Sequence, residues 1–275
     1  DSDVVTEVRT TFLPTHEVHR ADTAVAGVSL PMTAFTEDLE TDRLHGLVAA
    51  YRTWIDQRQG EAAGLKGSLR AQADEHLRLA REASDRMDAG IQLLDSNPDA
   101  RRAFTLMNRA MKQQRDKQEF IRTGKVPAQQ SWRPFQMAFI LMNLPGLTDP
   151  ASEDRGLADL LWFPTGGGKT EAYLGLIGYA ILHRRIKNPT HGGVSVLMRY
   201  TLRLLTLQQF ERATGLICAL EMIRRTELPD AVPVTIGLWV GQGATPNKLP
   251  EAKKALAKLA RGEEIQTENP MQLQV

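Results

Sequence analysis

The run Gly166-Gly167-Gly168-Lys169-Thr170-Glu171 brings together the residue types that hold a phosphate. Glycines let the backbone turn tightly, so that consecutive N–H groups point at one anion with no side chains in the way. A helix beginning near Gly168 adds the positive end of its dipole. Lys169 is placed to reach the β- and γ-phosphates of a nucleoside triphosphate, and the Thr170 hydroxyl to hold Mg²⁺. Pro164 and Thr165 open the turn after Leu160-Leu161-Trp162-Phe163, an apolar run that reads as a buried strand. Strand, glycines, Lys-Thr and helix follow in the order that a phosphate-binding loop requires. Thr165, Gly166, Gly167, Gly168, Lys169, Thr170 and Glu171 are therefore expected to bind ATP with Mg²⁺. Phe163 stands where the general pattern has a glycine.

Two other stretches carry chemistry. Upstream of the loop lies Arg133-Pro134-Phe135-Gln136. The Gln136 amide has a donor and an acceptor, a pair that matches adenine N6 and N7 together. Arg133 or Trp132 offers a face for stacking on the base. Downstream, Arg199-Tyr200-Thr201-Leu202-Arg203 follows a second apolar run, Val194–Met198. Loops at the carboxyl ends of parallel strands contact ligands. Arg199, Arg203 and the Thr201 hydroxyl suit backbone phosphates, and Tyr200 suits stacking on a base. Thr245, in the loop 241–247, is a further candidate contact of the same kind.

The elements that must position these residues are mostly helical. From Thr41, the residues Leu44, Leu47, Val48, Tyr51 and Ile55 repeat at helical spacing. A second helix is predicted from about Ala62 to Leu94. Asn97-Pro98-Asp99 reads as a cap and first turn, opening a third helix that reaches about Ile121. Its basic residues, Arg115 among them, read as a solvated face. After a break near Gly124, helices are predicted over Met137–Leu144, Ala172–Lys187, Thr206–Arg225 and Glu251–Leu259. Strands are predicted before the loop, at Val194–Met198 and at Val234–Val240. Strand–helix–strand order predicts a parallel sheet with a right-handed crossover. The expected fold class is thus α/β: a parallel-sheet nucleotide-binding domain over 126–275, preceded over 1–125 by short strands and a helical bundle or hairpin.

Bulk properties are permissive. With 275 residues, 30.6 kDa and a net charge of +1, the chain neither demands nor excludes a nucleic-acid partner. Its single cysteine, Cys218, lies in an apolar helical stretch and reads as a core residue in a reducing cytoplasm. No apolar run is long enough to cross a membrane. A first residue other than Met suggests a fragment.

The phosphate loop, Arg133-Pro134-Phe135-Gln136 and the segment from Arg199 to Gln209 together resemble the first motor domain of superfamily 2 helicases. Many helicase-type loops keep the Pro-Thr-Gly-x-Gly-Lys-Thr form seen at 164–170. The wording of Arg199–Gln209, with Gly237-Leu238-Trp239-Val240-Gly241 and Thr245-Pro246-Asn247, is similar to the DrmA family, the helicase-like subunits of DISARM anti-phage systems. Arg199-Tyr200 replaces the proline of the usual helicase motif. The resemblance covers roughly residues 130–250. It implies a RecA-like motor domain, ATP-driven movement on DNA that is single-stranded or has a single-stranded end, and a partner subunit, DrmB. Such motors also need an acidic pair after an apolar strand. None follows a strand here, and Glu263-Glu264 reads as a solvated charge pair. The acidic pair and a second motor domain are accordingly expected beyond Val275, with poor ATP hydrolysis by these residues alone. The alternative is an ATP-binding regulatory switch without motor activity.

Overall fold

The computed structural model describes residues 24–125, 129–163, 167–200, 203–238, 246 and 248–265, with the side chains of 203–207 outside that description. Asn97 shows how the sequence sets the helix boundaries. Its side chain accepts the N–H groups of Asp99 and Ala100, both at 3.0 Å, and Pro98 takes the first helical position, where a missing N–H leaves nothing unpaired. Helix α3 (Pro98–Thr123) starts there and stops at Gly124, whose left-handed φ of 69° ends it. Before it, α1 (Thr41–Ala62) and α2 (Gly67–Ser96) form a hairpin across residues 63–66. Among the described residues the α-helices that follow are α4 (Pro134–Thr148), α5 (Lys169–Lys187), α6 (Arg203–Glu227) and α7 (Leu249–Ala260). Helix α5 packs on α3, α4 and α6, while α2 packs on α1, α3 and α4.

One apolar cluster runs through these helices. Phe104, Met107 and Met111 of α3 meet Ile140 and Leu144 of α4, Tyr179 and Leu182 of α5, and Leu216 and Leu220 of α6, all at zero exposure. The cluster draws on residues from both sides of position 125. Two polar groups inside it are satisfied locally. Trp132 Nε1 donates to Asn108 Oδ1 at 2.7 Å, and Asn108 Nδ2 donates to the Phe104 carbonyl at 2.9 Å. Trp132 is therefore a core residue at 3 % exposure rather than a platform for a base. Helices α2 and α4 approach closely at Gly90, where a Cβ would lie 2.9 Å from the Leu141 carbonyl carbon and nearer still to its oxygen.

The expected α/β fold is corrected here. Among the described residues no strand is formed, and the only bridge is an isolated antiparallel one between Pro31 and Ser131. Among the described residues, packed helices and segments that form no ladder stand where the parallel-sheet RecA-like domain was read over 126–275. Leu160 and Trp162 are 86 % and 82 % exposed, and Val194 and Leu197 are 81 % and 82 % exposed. An apolar run bounded by turn residues predicts extended backbone, but a ladder also needs a neighbour's N–H and C=O groups at about 4.8 Å. Side chains anchor these segments instead. Arg184 donates to the carbonyls of Gly192 and Val194, and Arg185 to those of Val232 and Pro233. Glu221 accepts the Val234 N–H at 3.0 Å. Trp239 and Val240, the end of the third predicted strand, lie outside the described residues. Cys218 also differs from expectation: it sits on the exposed side of α6.

The Glu221 anchor makes stability depend on acid. The hydrogen bond from Arg224 holds its carboxyl down to about 2, against burial and with help from the Val234 N–H and Arg225. A depressed carboxylate stabilises the fold fully above its ordinary value of 4.5, and that stabilisation is lost as pH falls toward 2. Denaturant midpoints at pH 6 and pH 3 should therefore differ more in the parent than in Glu221→Gln. Equal pH dependence in the two proteins would remove Glu221 from this role.

Candidate nucleotide-binding site

Helix α5 begins at Lys169, with Gly168 as its cap at φ 89°, a left-handed conformation that glycine adopts without strain. The N-terminus of α4 meets this cap from 32 residues upstream. Gln136 is 2 % exposed; its Nε2 donates to the Gly168 carbonyl at 2.7 Å, and its Oε1 accepts the Arg133 N–H at 2.9 Å. The Arg133 guanidinium donates to the Gly167 carbonyl. A side chain at position 168 would press on this arrangement, since a Cβ there lies 2.7 Å from Gln136 Nε2 and 3.3 Å from Glu171 Oε2. Two segments far apart in sequence thus shape one loop. The Gln136 amide is engaged on both sides by the protein, so pairing with an adenine requires both bonds to be exchanged.

The cationic end of Lys169 donates to the Phe163 carbonyl. Phe163 stacks on Phe135, with ring centroids 4.0 Å apart and planes 11° from parallel. Glu171 pairs with Arg212 of α6. Thr170 occupies the first turn of α5 and is partly exposed. A nucleotide-bound Mg²⁺ takes most of its ligands from phosphate and water, so one protein hydroxyl fits that coordination. Among the described residues no group of three or more His, Cys, Asp or Glu side chains is placed to hold a metal without a nucleotide. Thr165 and Gly166 lie outside the described residues.

A clamp from the helical hairpin fixes the approach to the loop. Arg86 of α2, 16 % exposed at its side chain, donates to both oxygens of Asp159 at 2.7 Å. Asp154 adds an ion pair at 3.6 Å. Bidentate Arg–carboxylate pairs fix geometry as well as charge. The Arg86 hydrogen bond holds the Asp159 carboxyl below its ordinary range, against partial burial. Neither residue stood out in the sequence, because their contact spans 73 positions and no periodicity marks it.

Of the candidate nucleic-acid residues, Arg199 is exposed, and Tyr200 is 37 % exposed. Burial pushes the Tyr200 phenol up, while nearby Arg212 pulls it down and Tyr173 pushes it up. Arg203 opens α6 with its side chain outside the description, and Thr201 and Thr245 lie outside the described residues.

No protein-family model matches the chain. The chain is similar to the DISARM protein DrmA of Bacillus paralicheniformis (strain ATCC 9945a / NCIMB 11709 / CD-2), at 36 % identity over 278 residues. The match takes in 90 % of this chain and 24 % of that relative, so the chain spans about a quarter of its length. The likeness read from the 199–209 and 237–247 wording is thereby supported by a comparison of the whole chain. Among the described residues no helix is long and apolar enough to cross a membrane.

Proposed function

We propose that this chain carries the nucleotide-binding part of a helicase-like, ATP-dependent DNA motor that serves anti-phage defence in the cytoplasm. The observation that carries the reading is the convergence of Arg133 and Gln136 on the carbonyls of Gly167 and Gly168, at the start of α5. Carbonyls held on one side leave the loop's N–H groups directed to the other, where the α5 dipole favours an anion. Lys169 supplies a mobile cation for the β- and γ-phosphates, exchanging the Phe163 carbonyl for phosphate oxygen. Thr170 would hold Mg²⁺ there, and the metal would supply positive charge to offset that of the phosphates. The similarity to a DISARM protein supports the defence role, and a partner subunit such as DrmB is part of the same proposal.

Arg199, Tyr200, Thr201, Arg203 and Thr245 are assigned to single-stranded DNA or the single-stranded end of a duplex. The double variant Arg199→Ala/Arg203→Ala should weaken single-strand binding across sequences. Each phosphate contact contributes about 0.7 to the slope of log affinity against log salt, so losing two should flatten it by about 1.4. A salt titration by fluorescence anisotropy measures this. Unchanged affinity and slope would favour the other reading, an ATP-binding switch that does not move on DNA.

A further inference from the structure

The hairpin of α1 and α2 ends in a small apolar cluster of its own, apart from the main core, with Ile55, Ala62 and Leu77 as its buried residues. Beside that cluster runs an open groove of about 710 Å³. Tyr51, Trp54, Arg58 and Glu61 of α1 form one wall. Ala73, His76, Ala80 and Ala83 of α2 belong to the other. Each set steps by three, four and three positions, the spacing at which a helix presents a seam to another helix. The α1 wall is bulky. Trp54 stacks on Tyr51 with ring centroids 5.7 Å apart, and the Arg58 guanidinium lies 5.9 Å over the Trp54 ring. Arg58 also pairs with Glu61 at 2.6 Å, which balances the charge of that wall. The alanines of the α2 wall leave room for large side chains to enter between the two.

Helix α7 carries the seam that this groove lacks. Leu249, Ala252, Leu256 and Leu259 repeat the same steps of three, four and three. No residue of α7 is buried, and Leu249 and Leu256 are 69 % and 48 % exposed. The groove is lined by α1, α2 and their connection, with no contribution from α7. Charge matches as well as shape. Helix α2 carries six acids against four arginines, whereas α7 carries three lysines against one acid. Glu75 and Glu82, next in sequence to His76 and Ala83, share the single Arg78 at 2.8 and 3.0 Å. Lys253, beside the α7 seam, is exposed.

We propose that the α1–α2 groove receives α7 from a second copy of this chain, and that the exchange is reciprocal. Each copy offers one groove and one such helix, so two copies close on each other about a two-fold axis and leave neither face open. The three seams each run about 15 Å at about 1.5 Å per residue, so they match in length. The α7 leucines bury their apolar surface between Trp54 and the α2 alanines. The lysines meet the acids of α2, which fixes the register of docking. This pairing is independent of the nucleotide reading.

The test is cross-linking of the full-length protein with a short bismaleimide. One preparation carries Ala80→Cys, and the other carries Ala252→Cys and a tag. Mixed, they should give a linked pair with one copy of each, while either alone, or the parent with its exposed Cys218, gives background only. Adding Leu256→Glu to the tagged preparation should cut the linked pair at least about tenfold, because a charge in an apolar groove opposes docking. Circular dichroism of that variant should match the parent, since α7 buries nothing in the single copy. No linked pair from the mixture, or one that survives Leu256→Glu, would overturn the exchange. Linking only within one chain, in the double variant Ala80→Cys/Ala252→Cys, would seat α7 in its own groove and overturn it too.

Discussion

Lys169→Ala should lower ATP affinity by about 10- to 100-fold and leave thermal stability nearly unchanged. A hydrogen bond to a charged group contributes about 1.5–3 kcal/mol, which converts to that range of affinity. The Lys169 amine has the Phe163 carbonyl for a partner in the absence of nucleotide. That neutral acceptor is a weaker partner for the ammonium than a phosphate oxygen. Calorimetric titration and a melting curve on the same preparation separate the two effects. Equal ATP affinity in variant and parent would mean that Gly167–Thr170 is a helix cap and no more.

The second large effect is on stability. Gly90→Ala should destabilise the fold by about 3 kcal/mol, at the upper end of overpacking costs. The added Cβ meets the Leu141 carbonyl, a backbone atom, and backbone cannot rotate aside as a side-chain tip can. Helices α2 and α4 must separate, which loosens Met87, Ile91, Ile140 and Leu144 in the shared core. Gly46 supplies the control, since it lies in α1 with nothing within 4 Å of its would-be Cβ. Gly46→Ala should stabilise by about 0.5–1 kcal/mol through helix propensity alone. Urea denaturation of both variants checks the pair. A mild effect at Gly90 would show that the two helices can shift past each other freely.

The helices were legible because periodicity and caps are local signals. Asn97-Pro98-Asp99 predicted the start of α3, and the asparagine makes both cap bonds there. The apolar spacing from Leu44 to Ile55 predicted the buried face of α1, and Leu44, Leu47, Val48 and Ile55 are buried. The sheet was misread for an equally physical reason. Leu160–Phe163 and Val194–Met198 have strand-like composition, yet pairing depends on a neighbour that no local pattern reports. Cys218 was misplaced because an apolar helical stretch does not by itself say which side faces out. At the candidate site, the loop and Gln136 were singled out by their residue types. What Gln136 touches was not, because its partner Gly168 is reached only when α4 folds against α5. Arg86 and Arg212 were invisible as site residues for the same reason. An arginine in a charged helix looks solvated until tertiary packing brings it to Asp159 or Glu171.

Direct titration of the full-length protein with ATP and Mg²⁺ tests the central claim, that Gly167–Thr170 seats a nucleoside triphosphate. The account predicts saturable binding of one nucleotide at a dissociation constant below about 1 mM, the range in which enzymes meet their substrates. Failure to saturate at several times that concentration, in a protein whose melting curve shows it folded, would contradict it.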